Sequence, residues 1–331
     1  MGVFVIAEAG VNHNGDINIA KKLCSAAKDA GADAVKFQTW QTEKIITKSV
    51  AQAEYQLNNT GCRESQYDML KRLELSYDEF KEIKRYCDEI GIQFCSTADE
   101  IDSLNFLVSI GIPFIKVGSG EVGNVSYLRE IGSKNMPVIF STGMSSLADV
   151  EQSLNALKTG GAKDITLLHC TTSYPCCYEN VNLLAMDTLR NAFHLPVGYS
   201  DHTIGTEVSV AAVARGAVVV EKHFTLNRKL EGPDHLASTE PEEFKRMVEE
   251  IRHIEKALGN GIKQPSLNEV KISEVVLKRI VAKRDIVCGK RIGIEDICVK
   301  RNNQGLPAKF WDLVIGMTAK RDYKQDDAIE F

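Results

Sequence analysis

Eight sets of polar side chains that could do chemistry occur between positions 8 and 223, and each set follows a short apolar run. They include the residue types that transfer protons, bind anions and bind metal ions. The sets are, in chain order, Glu8 with Asn12, His13 and Asn14; Lys36 with Gln38; Ser96 with Thr97; Lys116 with Ser119 and Glu121; Ser141 with Thr142; His169 with Thr171, Thr172 and Tyr174; Ser200 with Asp201 and His202; and Glu221 with Lys222 and His223. One such residue is commonly a satisfied core or loop group, but eight consecutive sets favour a shared catalytic site.

Lys36 and Lys116 lie inside apolar segments, where a buried ammonium group needs an anionic partner or a lowered pKa. Neutral hydrogen-bond donors follow in the sequence: Ser119, Ser141 and the backbone of residues 118–120. Together with the two lysines, these donors would form an anion-binding site suited to a phosphate and a carboxylate. Alternatively, each lysine pairs with an internal glutamate such as Glu8 or Glu121, which is compatible with anion binding.

His202 and His223 end two successive apolar runs, so adjacent strands would place both imidazoles on one rim. Two imidazoles, with water and substrate oxygens, suit a divalent transition metal such as Mn²⁺. Mg²⁺ is less suited to nitrogen ligands, and Zn²⁺ normally takes a third strong protein ligand. The pair lacks a metal-binding motif, so ordinary polar roles are the alternative. Asp234, in a loop further on, could accept hydrogen bonds from sugar hydroxyls or be a solvated loop residue.

The apolar runs alternate with amphipathic segments. The runs, at residues 3–9, 34–38, 93–97, 114–118, 138–142, 165–169, 197–200 and 218–223, are typical of strands that are covered on both faces. The amphipathic segments predict helices at 17–30, 77–90, 101–110, 125–134, 147–159, 183–193, 206–215 and 241–258. Eight strand–helix units of this length predict an α/β fold, a closed (β/α)₈ TIM barrel, with a doubly wound open sheet as the competing topology. In such a barrel the eight polar sets would meet at one mouth.

The remaining segments complete the domain organisation. Residues 39–75 form a long polar insertion after the second strand, and loops of this size are often functional lids. After residue 258 the pattern changes to a linker, a possible helix at 269–280, and short apolar groups separated by glycines. We therefore predict a TIM-barrel catalytic domain at 1–260, a linker at 261–280 and a small β-rich domain at 281–331.

The composition excludes several classes of protein. Hydrophobic residues make up 44% and charged residues 26%, which excludes a chain that is mainly disordered, collagen-like or coiled-coil. The net charge of −5 disfavours nucleic acid and anionic membranes as partners, and the longest nearly apolar run is too short to span a bilayer. The N-terminus lacks the pattern of a secretory signal, and the nine cysteines contain no CxxC pair. We therefore expect a cytoplasmic protein with reduced thiols.

Eight stretches of the sequence match the motifs of a known family, in the same order, and together they cover the whole predicted barrel. They are residues 6–15, 35–39, 115–121, 140–144, 168–171, 198–202, 221–224 and 232–235. On these motifs the chain resembles the sialic acid synthases, which include the related bacterial legionaminate and pseudaminate synthases. Residues 281–331 resemble that family's C-terminal antifreeze-like (SAF) domain.

The resemblance implies a condensation of phosphoenolpyruvate (PEP), through its C3, with the aldehyde of an open-chain N-acyl hexosamine. Water attacks C2, and phosphate leaves. The family fold is a homodimer in which the C-terminal domain of one chain covers the other chain's site. Matched by motif, the implied roles are metal binding (Mn²⁺, or Mg²⁺) by His202 and His223; catalysis by Glu8, Lys36 and Lys116; PEP binding by Lys36, Thr97, Lys116, Ser119, Ser141 and Thr172; and sugar binding by Glu8, Glu121, Tyr174, Asp234 and Arg301.

Three stretches depart from the family pattern. Residues 96–99 read Ser-Thr-Ala-Asp where the family often has Ser-Thr-Pro-Phe, and residues 174–177 read Tyr-Pro-Cys-Cys where it has Tyr-Pro-Thr-Pro. The loop at 301–305 keeps Arg301 and Gly305 but lacks the Pro and one Gly of the family's Arg-Pro-Gly-x-Gly. These losses alter the stiffness of the loop, so the expected contact of Arg301 with the sugar's acyl group is affected.

The sequence leaves the acceptor and two remoter functions open. N-acetylmannosamine, which gives N-acetylneuraminate, is slightly favoured because the insertion at 53–61 resembles that of some N-acetylneuraminate synthases, although legionaminate synthases have similar insertions. A 2,4-diacetamido-2,4,6-trideoxymannose, which gives diacetyllegionaminate, is the alternative. A Schiff-base aldolase that uses Lys116 or Lys36 is a second enzyme class. A non-enzymatic sugar- or ice-binding protein is the third, and it would leave the strand-end glutamates, lysines and histidines without a purpose.

Overall fold

The computed structural model of the chain, which describes residues 2–50 and 65–330, contains eight parallel strands that close into a barrel in sequence order. The strands are β1 (Phe4–Gly10), β2 (Ala34–Thr39), β3 (Gln93–Ala98), β4 (Ile115–Val117), β5 (Val138–Ser141), β6 (Ile165–Cys170), β7 (Val197–Asp201) and β8 (Val219–His223). The predicted TIM barrel is confirmed, and the open doubly wound sheet is wrong.

Helices follow the strands and form the outer layer. They are α1 (Ile17–Asp29), α2 (Thr42–Ile45), α3 (Gln66–Leu73), α4 (Tyr77–Ile90), α5 (Ile101–Ser109), α6 (Val125–Ser133), α7 (Leu147–Gly160), α8 (Ala185–Phe193), α9 (Glu207–Ala214) and α10 (Pro241–Leu258). Local signals set their ends: α4, for example, begins at a capping box of Ser76 and Glu79 and ends at Gly91, whose φ of 73° is left-handed. Within the described residues, no helix is long and apolar enough to cross a bilayer.

An apolar layer fills the inside of the barrel below the mouth. It consists of Ile6, Ala34, Cys95, Phe114, Ile139, Leu168 and Val219, one from each strand or strand start except β7. On β7, Gly198 takes the equivalent place, and a Cβ there would lie 2.7 Å from the Leu168 side chain. Because strand side chains alternate between faces, the residue two positions further on points inward again, one layer nearer the mouth.

This second layer is polar. Two residues beyond the apolar layer lie Glu8, Lys36, Thr97, Lys116, Ser141, Cys170, Ser200 and Glu221. The strand register aligns several of them directly: Glu8 pairs with Lys36, Thr97 with Lys116, and Ser200 with Glu221. The period of the strands therefore positions the candidate site immediately above a packed floor.

The insertion after β2 is partly helical rather than a plain loop. Its described portions include α2 and α3, and the stretch 53–61 that bears on the acceptor lies outside the described residues. Met69 and Leu73 of α3 pack with Val11 and Trp40 in a small apolar cluster. This cluster holds α3 beside the loop that follows β1.

The chain divides into two compact units, Met1–Gly259 and Asn260–Phe331. The second unit contains a helix α11 (Leu267–Val276), an antiparallel pair β9 (Lys278–Ala282) and β10 (Ile297–Arg301), and a short helix α12 (Trp311–Val314). Its own core includes Ile280, Ile297 and Ile329. Helix α11 lies within the segment interpreted as a linker, and β9 begins before residue 281.

Candidate active site

A cavity of about 200 Å³ opens at the carboxyl ends of the barrel strands. Ten of the residues selected from the sequence line it: Glu8, Lys36, Thr97, Lys116, Ser119, Ser141, Thr172, Tyr174, His202 and His223. The cavity therefore brings together both lysines and both histidines. Most of these side chains are buried, so the charges among them interact with little screening by water.

Lys36 lies between two carboxylates. Its Nζ is 2.8 Å from Oε2 of Glu8 and 3.9 Å from Oε2 of Glu221, and it donates a hydrogen bond of 3.0 Å to Oγ1 of Thr97. Burial lowers the pKa of Lys36, but the charges of Glu221 and Glu8 outweigh this and raise the pKa above its ordinary value. The ammonium group is therefore charged at neutral pH.

Glu221 bridges the two lysines. Its Oε1 is 3.4 Å from Nζ of Lys116 and accepts a hydrogen bond of 3.1 Å from Ser200, while Lys116 also donates to Oγ of Ser141 at 2.8 Å. Burial raises the pKa of Glu221, but Lys116 and then Lys36 pull it down further, to about 2. The carboxylate that Lys116 contacts is thus Glu221, and its suggested pairing with Glu121 is wrong.

Glu8 is poised to exchange a proton near neutral pH. Burial raises its pKa to about 7, against the opposing charge of Lys36, and the carboxylate of Glu221 adds to the rise. Nε2 of Gln38 donates a hydrogen bond of 3.1 Å to Oε1 of Glu8. A carboxyl group with such a pKa can act as acid or base at neutral pH.

The two imidazoles lie on adjacent strand ends, with ring centroids 5.6 Å apart. Nδ1–H of His202 donates to the backbone carbonyl of Thr171 at 2.7 Å, a contact that leaves Nε2 as the acceptor nitrogen. Nδ1 of His223 is buried and has no hydrogen-bond partner among the described residues. Burial lowers the pKa of both rings, and His202 adds to this at His223. Both are therefore neutral imidazoles, as metal ligands must be.

These two nitrogens fit a divalent metal ion as a partial ligand set. Among the described residues there is no group of three or more His, Cys, Asp or Glu side chains that could hold a metal. A metal at His202 and His223 would therefore take its remaining ligands from water or substrate, which suits an ion that binds a reacting oxygen.

Hydroxyl groups converge around the loop after β5. The backbone N–H of Gly143 donates to Oγ of Ser119 at 2.9 Å. A Cβ at Gly143 would lie 2.3 Å from Oγ1 of Thr172 and 2.8 Å from Oγ of Ser119, so only glycine allows this approach. Oγ1 of Thr172 is buried without a hydrogen-bond partner among the described residues and is available to a ligand.

Three selected residues lie outside this cavity. Glu121, on the short 3₁₀ turn after β4, does not line the 200 Å³ cavity, and its carboxylate accepts a hydrogen bond of 2.7 Å from Asn124. Burial raises the pKa of Glu121. Arg301 ends β10 in the second unit and is exposed. Asp234 lines a neighbouring compartment of about 120 Å³, and burial raises its pKa to about 6 against the opposing charge of Lys36.

Strand alternation separates residues that the sequence grouped together. Asp201 and Lys222 follow β7 and β8 residues of the cavity, but they face the helical layer and form a buried ion pair of 2.7 Å. Asp201 also accepts a hydrogen bond from Ser209 of α9. These two residues therefore tie the barrel to a helix and do not belong to the cavity.

Sequence reasoning gave no role to several cavity residues, among them Gln38, Asp99 and Glu221. Glu221 was among the strand-end residues, and strand alternation could have assigned it to the cavity, since it lies two positions before His223 on the same strand. Asp99 stands at one of the departures from the family pattern, and burial, with Glu121 nearby, raises its pKa to about 7. Gln38 was among the strand-end residues, but only the structure shows that it contacts Glu8.

Comparisons with known proteins find similarity over most of the chain. Residues 23–263 match the model of the NeuB family, and residues 279–330 match the SAF domain. The N,N'-diacetyllegionaminic acid synthases of Legionella pneumophila and Campylobacter jejuni are 47% and 46% identical; the alignments cover 95% and 98% of this chain and 90% and 98% of those proteins. The crystal structure of an N-acetylneuraminic acid synthetase from Leptospira borgpetersenii is similar at 33% identity and a TM-score of 0.74, covering 83% of this chain and 93% of that one.

The bridging position of Glu221 predicts a large effect on stability. Replacing Glu221 by Gln should lower the free energy of unfolding by about 3–5 kcal/mol, because it leaves two buried ammonium groups with one described carboxylate, Glu8. Urea denaturation would measure the loss. Asp78→Asn is the control: Asp78 pairs with Lys81 at the surface, so its replacement should change little. Equal effects of the two substitutions would contradict the proposed bridge.

Proposed function

The chain belongs to the NeuB family and carries a SAF domain, and from this premise we propose that it condenses PEP with an N-acyl hexosamine to form a nonulosonic acid. The observation that carries the proposal is the cavity itself. It combines lysines and hydroxyl donors with a neutral histidine pair. A reaction between a doubly anionic donor and an aldehyde requires both.

The lysine side would bind PEP. The ammonium groups of Lys36 and Lys116 supply positive charge, and hydroxyl groups supply further donors: Thr97, Ser119, Ser141 and Thr172. Because Glu221 and Glu8 already hold the lysines in place, the cations need little rearrangement when the anion binds. The raised pKa of Lys36 makes it a poor amine nucleophile, which disfavours Schiff-base chemistry at this residue.

The histidine side would hold a divalent cation, Mn²⁺ by preference and Mg²⁺ as the alternative, through His202 and His223. When bound, such an ion supplies Lewis acidity to the aldehyde oxygen of the acceptor. Thr171 contributes by fixing the tautomer of His202. The ring of Tyr174, whose centroid is 4.3 Å from that of His202, limits how far this imidazole can turn.

Glu8 would move the protons. It begins protonated and donates a proton to the aldehyde oxygen as C3 of PEP forms the new carbon–carbon bond. As a carboxylate it then accepts a proton from the water that adds to C2. Accepting this proton restores Glu8 to its starting state. The tetrahedral intermediate then loses phosphate through cleavage of the C2–O bond, and the remaining proton of the C2 hydroxyl passes to the departing phosphate as the ketone forms. Anionic PEP nearby raises the pKa of Glu8 further, which favours the protonated form at the first step.

The comparisons favour the second acceptor that the sequence left open. Two N,N'-diacetyllegionaminic acid synthases are 47% and 46% identical to the chain, whereas the N-acetylneuraminic acid synthetase structure is 33% identical. We therefore propose 2,4-diacetamido-2,4,6-trideoxymannose as the acceptor, in place of N-acetylmannosamine. Asp234 and Tyr174 would contact this sugar from the compartment beside His223, and Glu121 from the turn after β4.

The proposed assembly is a homodimer in which the SAF domain of one chain covers the other chain's site and brings Arg301 to the acceptor's acyl group. Exposed apolar surface on α11 supports the proposal of a dimer contact: α11 has no buried residue, and its residues Leu267, Ile272 and Val275 are exposed. Every cysteine among the described residues is a free thiol, which supports the proposed cytoplasmic location.

Phosphate release tests the reaction and the acceptor together. With PEP and Mn²⁺, the diacetamido-trideoxymannose should give a kcat/KM about tenfold or more above that of N-acetylmannosamine, because the sugars differ in a hydroxyl and an acylamino group. Higher activity with N-acetylmannosamine would restore the first acceptor. No release with any N-acyl hexosamine would overturn the proposed synthase.

Metal binding can be measured without turnover. In calorimetric titration with Mn²⁺, His202→Ala and His223→Ala should each weaken binding by more than about 100-fold, since even loss of an outer contact to a ligand costs about 10- to 100-fold. His253→Ala, at an exposed position of α10, is the matched control and should bind as the original chain does. Unchanged affinity in either cavity variant would rule out this histidine pair as the ligand set.

The raised pKa of Glu8 predicts the pH dependence. If the protonated form starts the reaction, kcat/KM should fall as the pH rises through about 7, and Glu8→Gln should abolish this limb along with most activity. Gln38→Leu removes a hydrogen bond that lowers the pKa of Glu8, so the limb should move to higher pH. A limb that persists in Glu8→Gln would assign the proton transfer to another group.

A further inference from the structure

The compartment of about 120 Å³ beside His223 is lined by two chemically different sets of residues. One set is polar and consists of Gln38, Tyr174, His223 and Asp234; the other, here called the apolar wall, consists of Val11, Met69, Leu70, Leu73 and Pro233. Gln38, Tyr174 and His223 also line the 200 Å³ cavity, so the two spaces adjoin. A molecule that extends from the cavity into the compartment would meet both the polar groups and, among the described residues, the aliphatic and thioether surface of the apolar wall.

Three residues of the apolar wall, Met69, Leu70 and Leu73, belong to α3, the helix of the insertion. Met69 and Leu73 of α3 are fully buried against Val11 and Trp40, so they form a fixed surface. Leu70 lies at the edge of this cluster and is only partly buried. It is therefore the residue of the wall whose replacement changes the compartment without opening a hole in the packed cluster.

The apolar wall would favour some chemical groups of the acceptor over others. A hydroxyl pressed against Met69, Leu70 and Leu73 finds no hydrogen-bond partner in these side chains, whereas a methyl group gains contact there. An apolar pocket of this kind discriminates against an added hydroxyl by about 10- to 100-fold, and not much more. This bias is large enough to select between related sugars.

We propose that Leu70, with Met69 and Leu73, forms an apolar subsite that takes a methyl group of the acceptor and thereby sets acceptor preference. The inference rests on the proposed synthase function and extends it to a specificity-determining residue. Two parts of a diacetamido-trideoxymannose present such a group: C6, which is a methyl in a 6-deoxy sugar, and the end of an N-acetyl group. Both have the same chemistry, and the acceptors chosen for the test tell them apart.

The test compares three acceptors with PEP and Mn²⁺: the diacetamido-trideoxymannose, its 6-hydroxy counterpart, and its N-formyl counterpart. With the original chain, one of the two altered sugars should lose about 10- to 100-fold in kcat/KM. In Leu70→Asn that difference should shrink to a few-fold, because an amide at the wall can hydrogen-bond an added hydroxyl and no longer offers a methyl group apolar contact. Leu70→Met, which keeps the wall apolar, should retain the difference.

Lys71→Asn is the matched control on the same helix, because Lys71 is exposed and pairs with Glu43 and Glu74 outside the compartment. It should leave the ratio between acceptors unchanged. The KM for PEP and the far-UV circular dichroism spectrum show whether Leu70→Asn remains folded, and Leu70→Thr is a milder second variant. A lower kcat/KM of the original chain with the 6-hydroxy sugar assigns the subsite to C6, and a lower kcat/KM with the N-formyl sugar assigns it to the acyl group.

Two other results would overturn the subsite. If Leu70→Asn and Leu70→Thr lower kcat/KM equally for all three acceptors, or leave every ratio unchanged, the wall does not contact a methyl group. Failure of the proposed function is a different observation: the original chain would then release no phosphate with any of the three sugars, and the subsite would fall with it.

Discussion

The candidate site depends on one buried carboxylate, Glu221, held between the ammonium groups of Lys36 and Lys116. Two lysines inside an apolar barrel are tolerable only because this charge and that of Glu8 compensate them. The same arrangement keeps Lys36 ionised and at a fixed place before any substrate arrives. Burial raises the pKa of Glu8 to near neutrality, and the charge of Glu221 adds to this rise, so Glu8 is the weaker of the two acids beside Lys36.

Much of the fold follows from the period of the sequence. Each apolar run is long enough for a strand covered on both faces, and each amphipathic segment ends at a turn residue such as Gly91, so the eight units could be counted and their ends placed. The mouth of the barrel then follows from the fold, because parallel strands carry their carboxyl ends together. Lys36, Lys116 and the histidine pair could be assigned to one cavity on this basis.

The alternation of side chains along a strand limits which residues can be assigned to the cavity from the sequence. Asp201 and Lys222 stand beside His202 and His223 in the sequence but face the helices. Only knowledge of which residues of a strand face the barrel interior separates them from Glu221. Side-chain pairing, such as that of Lys116, is set by distances between strands and is not readable from spacing. The helices of the insertion were missed because its polar composition hides the short apolar repeat of α3.

The packed floor of the barrel has a kinetic consequence. Along β8, Val219 lies in the floor, Glu221 above it and His223 nearer the opening, so the space is blind at its inner end. A reactant seated against the lysines would thus lie deeper in the barrel than one seated at the imidazoles. In the proposed reaction, this difference in depth favours entry of the phosphorylated reactant before the sugar, and release of the longer product before inorganic phosphate.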